Sequence, residues 1–350
     1  MTGETDPSAP VHDSGPTGRD AAPEAHRTGR RRRGEQLMVP RATFDSYYGR
    51  PIIKAPAWEA RDIAGYFFLG GLAGAGSVLA AAHQATGAPR TATALKITSL
   101  GSVGLATAAL IHDLGVPSRF THMLRVIKPT SPMSVGSWLL AVYGPLAGAA
   151  AASALSGRAR RAGAAATAAA AVLGPAVATY TAVLAADTAV PAWHGAHREL
   201  PYVFAGSALT AASGAALALG PRRETGAARL TALLGAAGEA AADHAMRQRL
   251  GTVASTLREG RAGRLLRTAR ALTAGGVALG LWSGRSRAAG VLAGTALLAG
   301  SACTRFGVFA AGIASAEDPA HTVGPQRARM AERARMAERA QAAERASEAD

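Results

Sequence analysis

The chain has 350 residues, 49% of them hydrophobic, a formal net charge of +15 and a single cysteine, Cys303. One thiol closes no internal disulfide and builds neither a zinc nor an iron–sulfur site, which take several thiolates, so no iron–sulfur cluster belongs to this chain and no metal site is read in it. The basic excess lies in the tails and in loops beside apolar runs, where anionic lipid headgroups are the natural counter-charge, and this excludes nucleic acid as the partner.

Mean hydropathy is only +0.11, because polar residues at both ends dilute a strongly apolar middle. Residues 1–50 are rich in Gly, Pro, Ala, Thr, Asp and Arg without periodicity, the pattern of a disordered basic tail. The run Arg30-Arg31-Arg32-Arg33 is followed by Gly34-Glu35-Gln36-Leu37-Met38-Val39-Pro40-Arg41 rather than by an apolar stretch, so it reads as tail and not as an export signal. Residues 51–314 contain apolar runs at about 63–83, 92–112, 134–155, 163–186, 200–220, 227–243, 268–284 and 287–312. A bilayer core of about 30 Å takes roughly 20 helical residues to cross, and helices satisfy their own backbone in hydrocarbon. The expected fold class is therefore an all-α integral membrane protein, a bundle of about eight transmembrane helices.

The sixth and seventh runs are the weakest of the eight; the sixth is short and carries Glu239 and Asp243. Gly174-Pro175 is a point at which the fourth could break. Gly70, Gly71 and Gly74, and Gly101 with Gly104, read as helix-packing positions. No similarity is evident between spans one to four and five to eight. Residues 315–350 form a charged tail in which Ala328-Arg329-Met330-Ala331-Glu332-Arg333 recurs as Ala334-Arg335-Met336-Ala337-Glu338-Arg339, good helix-forming sequence. An even number of spans puts both termini on one side, and the basic N-terminal tail argues that this side is cytoplasmic, in a multi-pass protein of the cell membrane.

The densest chemistry lies between spans two and three. Asp113-Leu114-Gly115-Val116-Pro117-Ser118-Arg119-Phe120 marks a tight turn at Gly115 and Pro117. It runs on to Lys128-Pro129-Thr130-Ser131-Pro132-Met133-Ser134-Val135-Gly136-Ser137-Trp138. Both stretches, together with Trp58-Glu59, the first-helix segment Tyr66 to Gly76 and the segment Gly260 to Leu266, resemble the NrfD/PsrC family, the membrane subunits of polysulfide reductase-like complexes. The resemblance spans roughly residues 45–310. It implies a subunit that anchors a ferredoxin-like iron–sulfur subunit and a molybdopterin (Mo/W) catalytic subunit to the membrane. It also implies a bound quinone, menaquinone in the first instance, near the docking face. A formate dehydrogenase-like partner is compatible with it.

The family's lack of haem agrees with the residues: His83, His112 and His244 lie at span ends, and His194 and His197 lie in a loop, so no two face each other at matched depth as a bis-histidine haem needs. A quinone needs an apolar slot, hydrogen-bond donors for its oxygens and a proton route. The start of span one and the end of span two share a membrane side, so Glu59, Tyr66, His112, Asp113 and Arg119 can converge there. Asp113 pairing with Arg119, Tyr66 and Trp58 as interfacial aromatics, and His112 as a structural residue are the plainer readings. Glu239 and Asp243 share a helix face and could serve a proton path, Lys96 could snorkel to the interface, and Tyr143 is a further pocket candidate. Arg119, Phe120, Arg125 and Lys128 form the expected partner-docking loop. Two other function classes stay open: a small-molecule transporter and a structural anchor without a working quinone site.

Overall fold

The computed structural model describes residues 53–54 and 56–348; the tail expected over 1–50 lies outside the described residues. Eight long helices carry the fold: α1 (Ala60–Ala85), α2 (Pro89–Asp113), α4 (Pro132–Ser156), α5 (Arg160–Ala186), α7 (Leu200–Leu219), α8 (Gly226–Leu250), α9 (Gly260–Gly280) and α10 (Arg287–Glu317). Two short helices, α3 (Phe120–Met123) and α6 (Pro191–Gly195), interrupt loops, and α11 (Ala320–Glu348) contains the repeats of the charged tail.

Proline at the first turn starts α2, α4 and α6, where the missing N–H is no loss. Ser286 caps α10 by accepting a hydrogen bond from the Ala289 N–H at 3.3 Å. Ser286→Ala is expected to lower stability by about 1 kcal/mol, read as a small downward shift of the unfolding midpoint in detergent.

Among the described residues six helices are long and apolar enough to cross a membrane: α1, α2, α4, α5, α7 and α10. The sixth and seventh runs do form helices, α8 and α9, but their apolar windows are diluted at one end. Asp243, His244, Arg247 and Arg249 crowd the end of α8, and Arg261, Arg264, Arg267 and Arg270 the start of α9. The same charges explain the boundaries: α8 runs to Leu250 rather than 243, and α9 begins at Gly260 rather than 268. A charged helix end is still helix when it stands beyond the hydrocarbon. Nor does Gly174-Pro175 break α5, which continues through to Ala186.

The helices make two groups of four with the same neighbour scheme. In the first, α1 packs on α2 and α5, and α4 on α5 and α2; in the second, α7 packs on α8 and α10, and α9 on α10, with a sparser seam to α8. The groups join chiefly through α1, which touches both α7 and α10, with α5 and α2 also packing on α7. Each group has a close glycine crossing in the equivalent place, and the second has another between Gly206 of α7 and Gly235 of α8. A methyl group on Gly74 of α1 would come within 2.3 Å of the Gly174 carbonyl in α5, and one on Gly294 of α10 within 2.3 Å of the Gly214 carbonyl in α7. Gly74 and Gly214 are each the fifteenth residue of their helices. The repeat invisible in the sequence is thus present in the packing.

The starts of α1, α4, α7 and α9 and the ends of α2, α5, α8 and α10 share one face, the long-loop face, which also carries α3, α6 and α11. The opposite hairpin face has only the short turns 86–88, 157–159, 220–225 and 281–286. On the long-loop face Trp193 of α6 is wedged into the bundle end. Its indole N–H donates to the Val308 carbonyl at 2.9 Å, its ring stacks on Trp58 at 5.6 Å, and Gly312 leaves the space it fills.

Candidate functional site

At the long-loop face α1 begins beside the end of α2. The Glu59 N–H, free at the helix start, donates to Asp113 Oδ1 at 3.3 Å. Asp62 Oδ2 and His112 Nδ1 lie 2.6 Å apart. Asp62 is buried while the imidazole is 75% exposed, so the pair joins the bundle interior to its surface. One turn further in, Tyr66 is buried on the same face of α1 as Asp62. Its hydroxyl is hydrogen-bonded to the Tyr180 hydroxyl of α5, and the two rings meet edge-on. Tyr66 is therefore an interior residue and not an interfacial aromatic. Asp113 is held by the α1 start rather than by Arg119.

The loop after α2 bears out its turn chemistry. Gly115 takes a φ of +67°, which L side chains rarely adopt, and Pro117 opens a short 3₁₀ turn, Pro117–Arg119, that leads into α3. Arg119, Arg125 and Lys128 are exposed, as are the apolar Val126 and Ile127, and Phe120 is half-buried. Ser134 closes the loop, accepting from the Lys128 N–H at 3.0 Å and donating to the Val126 carbonyl at 3.1 Å, with the Trp138 indole N–H on that same carbonyl at 3.4 Å. A methyl group on Gly136 would strike the Tyr180 ring at 2.5 Å. The Lys128 to Trp138 segment thus both shapes the exposed loop and seats the tyrosine that meets Tyr66.

Tyr143 is not part of this mouth. It lies deeper, between α4 and α1, where its hydroxyl donates to the Ala73 carbonyl at 2.6 Å and meets Ser77 Oγ at 2.6 Å. Glu239 belongs to the other group of helices. It lines a cavity of about 440 Å³ in the seam between α8 and α9, backed by Val203, Thr304 and Val308. Glu239 Oε1 accepts from Thr304 Oγ1 at 2.7 Å, and Oε2 is buried with no hydrogen-bond partner. Towards the long-loop face, Asp243 on the same side of α8 pairs with Arg247 at 2.8 Å and lies 3.8 Å from Arg270 of α9.

Tyr180 was absent from the sequence reading, and so were two charged residues of consequence. Arg305, in the middle of α10, is fully buried where the two groups of helices meet: it donates to the Phe204 carbonyl at 2.7 Å, lies 3.7 Å over the Phe204 ring, and passes beside Gly71 of α1. Its signal was available, since a charge inside an apolar run is a functional candidate by default. Asp62 falls one residue before the expected start of the first span, and its spacing of four from Tyr66 was the clue.

Residues 57–225, from just before α1 to the turn after α7, match the family model for polysulphide reductase, NrfD. No curated protein matches the chain. The matched region contains the α1–α2 mouth, the loop with α3 and the whole first group of helices, and it supports a membrane subunit of polysulphide reductase-like complexes. Over residues 57–225, just under half of its length, this integral membrane protein is similar to the NrfD family.

Proposed function

We propose that the protein is the membrane anchor and quinone- or quinol-interacting subunit of a multi-subunit oxidoreductase of the polysulfide reductase or formate dehydrogenase type. Electrons pass between a quinone at this subunit and a separate ferredoxin-like iron–sulfur subunit, which serves a molybdopterin catalytic subunit. The observation that carries this reading is the Asp62–His112 pair, reaching from the bundle interior to the face on which the basic loop of Arg119, Arg125 and Lys128 is exposed. Basic and apolar side chains together, with Val126 and Ile127 between Arg125 and Lys128, suit a protein partner.

A bound quinone supplies exchange of two electrons and two protons. The protein's part is to handle the protons and exclude water. His112 Nε2 at the surface can pass a proton to or from bulk water, with Asp62 holding the charge of the ring through Nδ1. Tyr66 and Tyr180 offer hydroxyl donors on the buried side.

A second placement of the ring is favoured by one specific observation: the Glu239 cavity has a volume in the range of small-molecule sites and a carboxylate oxygen without a partner. Both placements open towards the long-loop face. We further propose that this face, with both termini, is cytoplasmic.

Purification from membranes in mild detergent, followed by mass spectrometry, tests the assignment. A co-purifying subunit with cysteines in ferredoxin-type spacing and a large molybdopterin-type subunit are expected. Recovery of the protein alone under gentle conditions overturns the anchor reading and favours a transporter.

A further inference from the structure

On the hairpin face, away from the sites above, α2 and the α4–α5 hairpin enclose a cleft of about 440 Å³ lined by Gln84, Thr93, Lys96, Ser153 and Arg160 among others. Lys96 is 8% exposed. It lies seven residues into α2, about 10 Å along the helix from its start, which is inside the hydrocarbon but within reach of its edge. Its ammonium donates to Gln84 Oε1, which uses one of three N–H groups. Among the described residues no carboxylate pairs with it. The four turns of this face hold one acid, Glu224, and that carboxylate is engaged by the Thr91 N–H at 2.7 Å.

A cation buried at this depth without a counter-charge is costly. The surroundings make it more so: Arg160 lines the mouth of the same cleft, the adjoining Arg158 and Arg161 are exposed, and Arg90 opens α2 nearby. The mouth is firmly shaped, because Ser153 Oγ donates to the Arg158 carbonyl at 2.8 Å and Gly163 leaves room for that serine. The cleft is thus a preformed concavity that runs from the headgroup level at Arg160 down to Lys96 at the edge of the hydrocarbon, positive from rim to floor. Its floor continues past Lys96 into a small cavity at Ser99, whose buried hydroxyl has no partner.

We propose that this cleft is a binding site for the phosphodiester headgroup of an anionic phospholipid, with Lys96 as the inner contact and Arg160 as the outer one. A phosphate accepts from both cations, while the acyl chains lie along α2 and α4, where Ile97, Leu100 and Val142 are exposed. A snorkelling lysine served by water alone is the competing account, and it predicts no preference among lipids.

The test uses the full-length chain, purified and delipidated in a neutral detergent. The unfolding midpoint is measured with added phosphatidylglycerol, phosphatidylcholine or inorganic phosphate. Phosphatidylglycerol is expected to raise the midpoint by several degrees and phosphatidylcholine to leave it near its starting value. Lys96→Met should abolish the difference and reduce phosphatidylglycerol retention in native mass spectrometry by roughly fivefold or more, whereas Lys96→Arg should keep both. If Lys96→Met does not fold, Arg160→Gln takes its place, since an exposed rim arginine is dispensable to the fold, and reduced retention is again expected. Equal gains from the two lipids, or undiminished selectivity in the variants, overturn the site. An equal gain from inorganic phosphate alone overturns the lipid assignment.

Discussion

Asp62→Asn and His112→Ala are each expected to lower quinol-coupled turnover of the purified complex by about 10²-fold, the low end of what a positioned acid or base contributes. The substitutions act on different halves of one device. Asn at 62 retains the size of the side chain but removes the charge that orients the ring and supports its protonated form. Ala at 112 removes the group that meets water. Electron delivery from the catalytic subunit to a soluble dye, which bypasses the membrane site, should be unaffected if the complex stays assembled. Glu239→Gln in the same assay separates the two placements of the ring. A loss confined to Asp62 and His112 assigns it to the α1–α2 mouth. A loss confined to Glu239 assigns it to the cavity between α8 and α9, where a neutral amide still meets Thr304 but no longer accepts a proton at the free oxygen. Near-normal turnover in all three variants, with the complex intact, eliminates the quinone site from this chain.

The parts of this fold that could be read in advance are those fixed by local chemistry. Gly115, Pro117 and Pro132 dictate their turns from their own covalent structure, and the apolar runs dictate helices from the bilayer's lack of hydrogen-bonding partners. The polar ends of α8 and α9 were misplaced because hydropathy marks where a helix is greasy, and not where it stops. Pairing between helices was not legible at all. Gly74, Gly101 and Gly104 look alike in sequence, yet Gly74 meets the backbone of α5 whereas added methyl groups on Gly101 and Gly104 would meet nothing within 4 Å. In an Ala- and Gly-rich chain small residues occur on every face, so their presence does not say which face is an interface. The same limit hid the site. Glu59, Tyr66, His112, Asp113 and Arg119 were expected to converge on the strength of chain direction; the structure brings Glu59, His112 and Asp113 to one mouth with Tyr66 a turn further in, while Arg119 stands exposed in the loop. The inner partners, Asp62 and Tyr180, depend on how α1, α2 and α5 are rotated, which only packing decides.

Gly74→Ala and Gly294→Ala are expected to be among the most damaging single-methyl changes in the bundle, while Gly104→Ala is harmless or mildly stabilising because alanine is the better helix former. At Gly74 the added carbon would lie 2.3 Å from the Gly174 carbonyl oxygen and 2.8 Å from the Ala178 nitrogen; at Gly294, 2.3 Å from the Gly214 carbonyl and 2.8 Å from the Ala218 nitrogen. All four obstacles are backbone atoms, so no rotamer change relieves the clash and the helices must move apart. Overpacking of a tight core costs roughly 1–3 kcal/mol, and a bulkier Val at either site should prevent recovery of folded protein. Heating in detergent followed by fluorescence-detected size exclusion gives the ranking; equal stability of the Gly74→Ala and Gly104→Ala variants would contradict the close crossing. The surviving fraction is informative too. Gly74 fixes the distance between α1, which carries Asp62 and Tyr66, and α5, which carries Tyr180. Its alanine variant should therefore lose quinol turnover beyond its loss of folded protein if the ring binds at the α1–α2 mouth. Gly294→Ala, which pries α10 from α7 in the other group, should spare that mouth and disturb the cavity behind Thr304 and Val308 instead. The two glycines occupy equivalent crossings in packing, so a difference between their effects on turnover, at matched loss of stability, reports which group of helices does the chemistry.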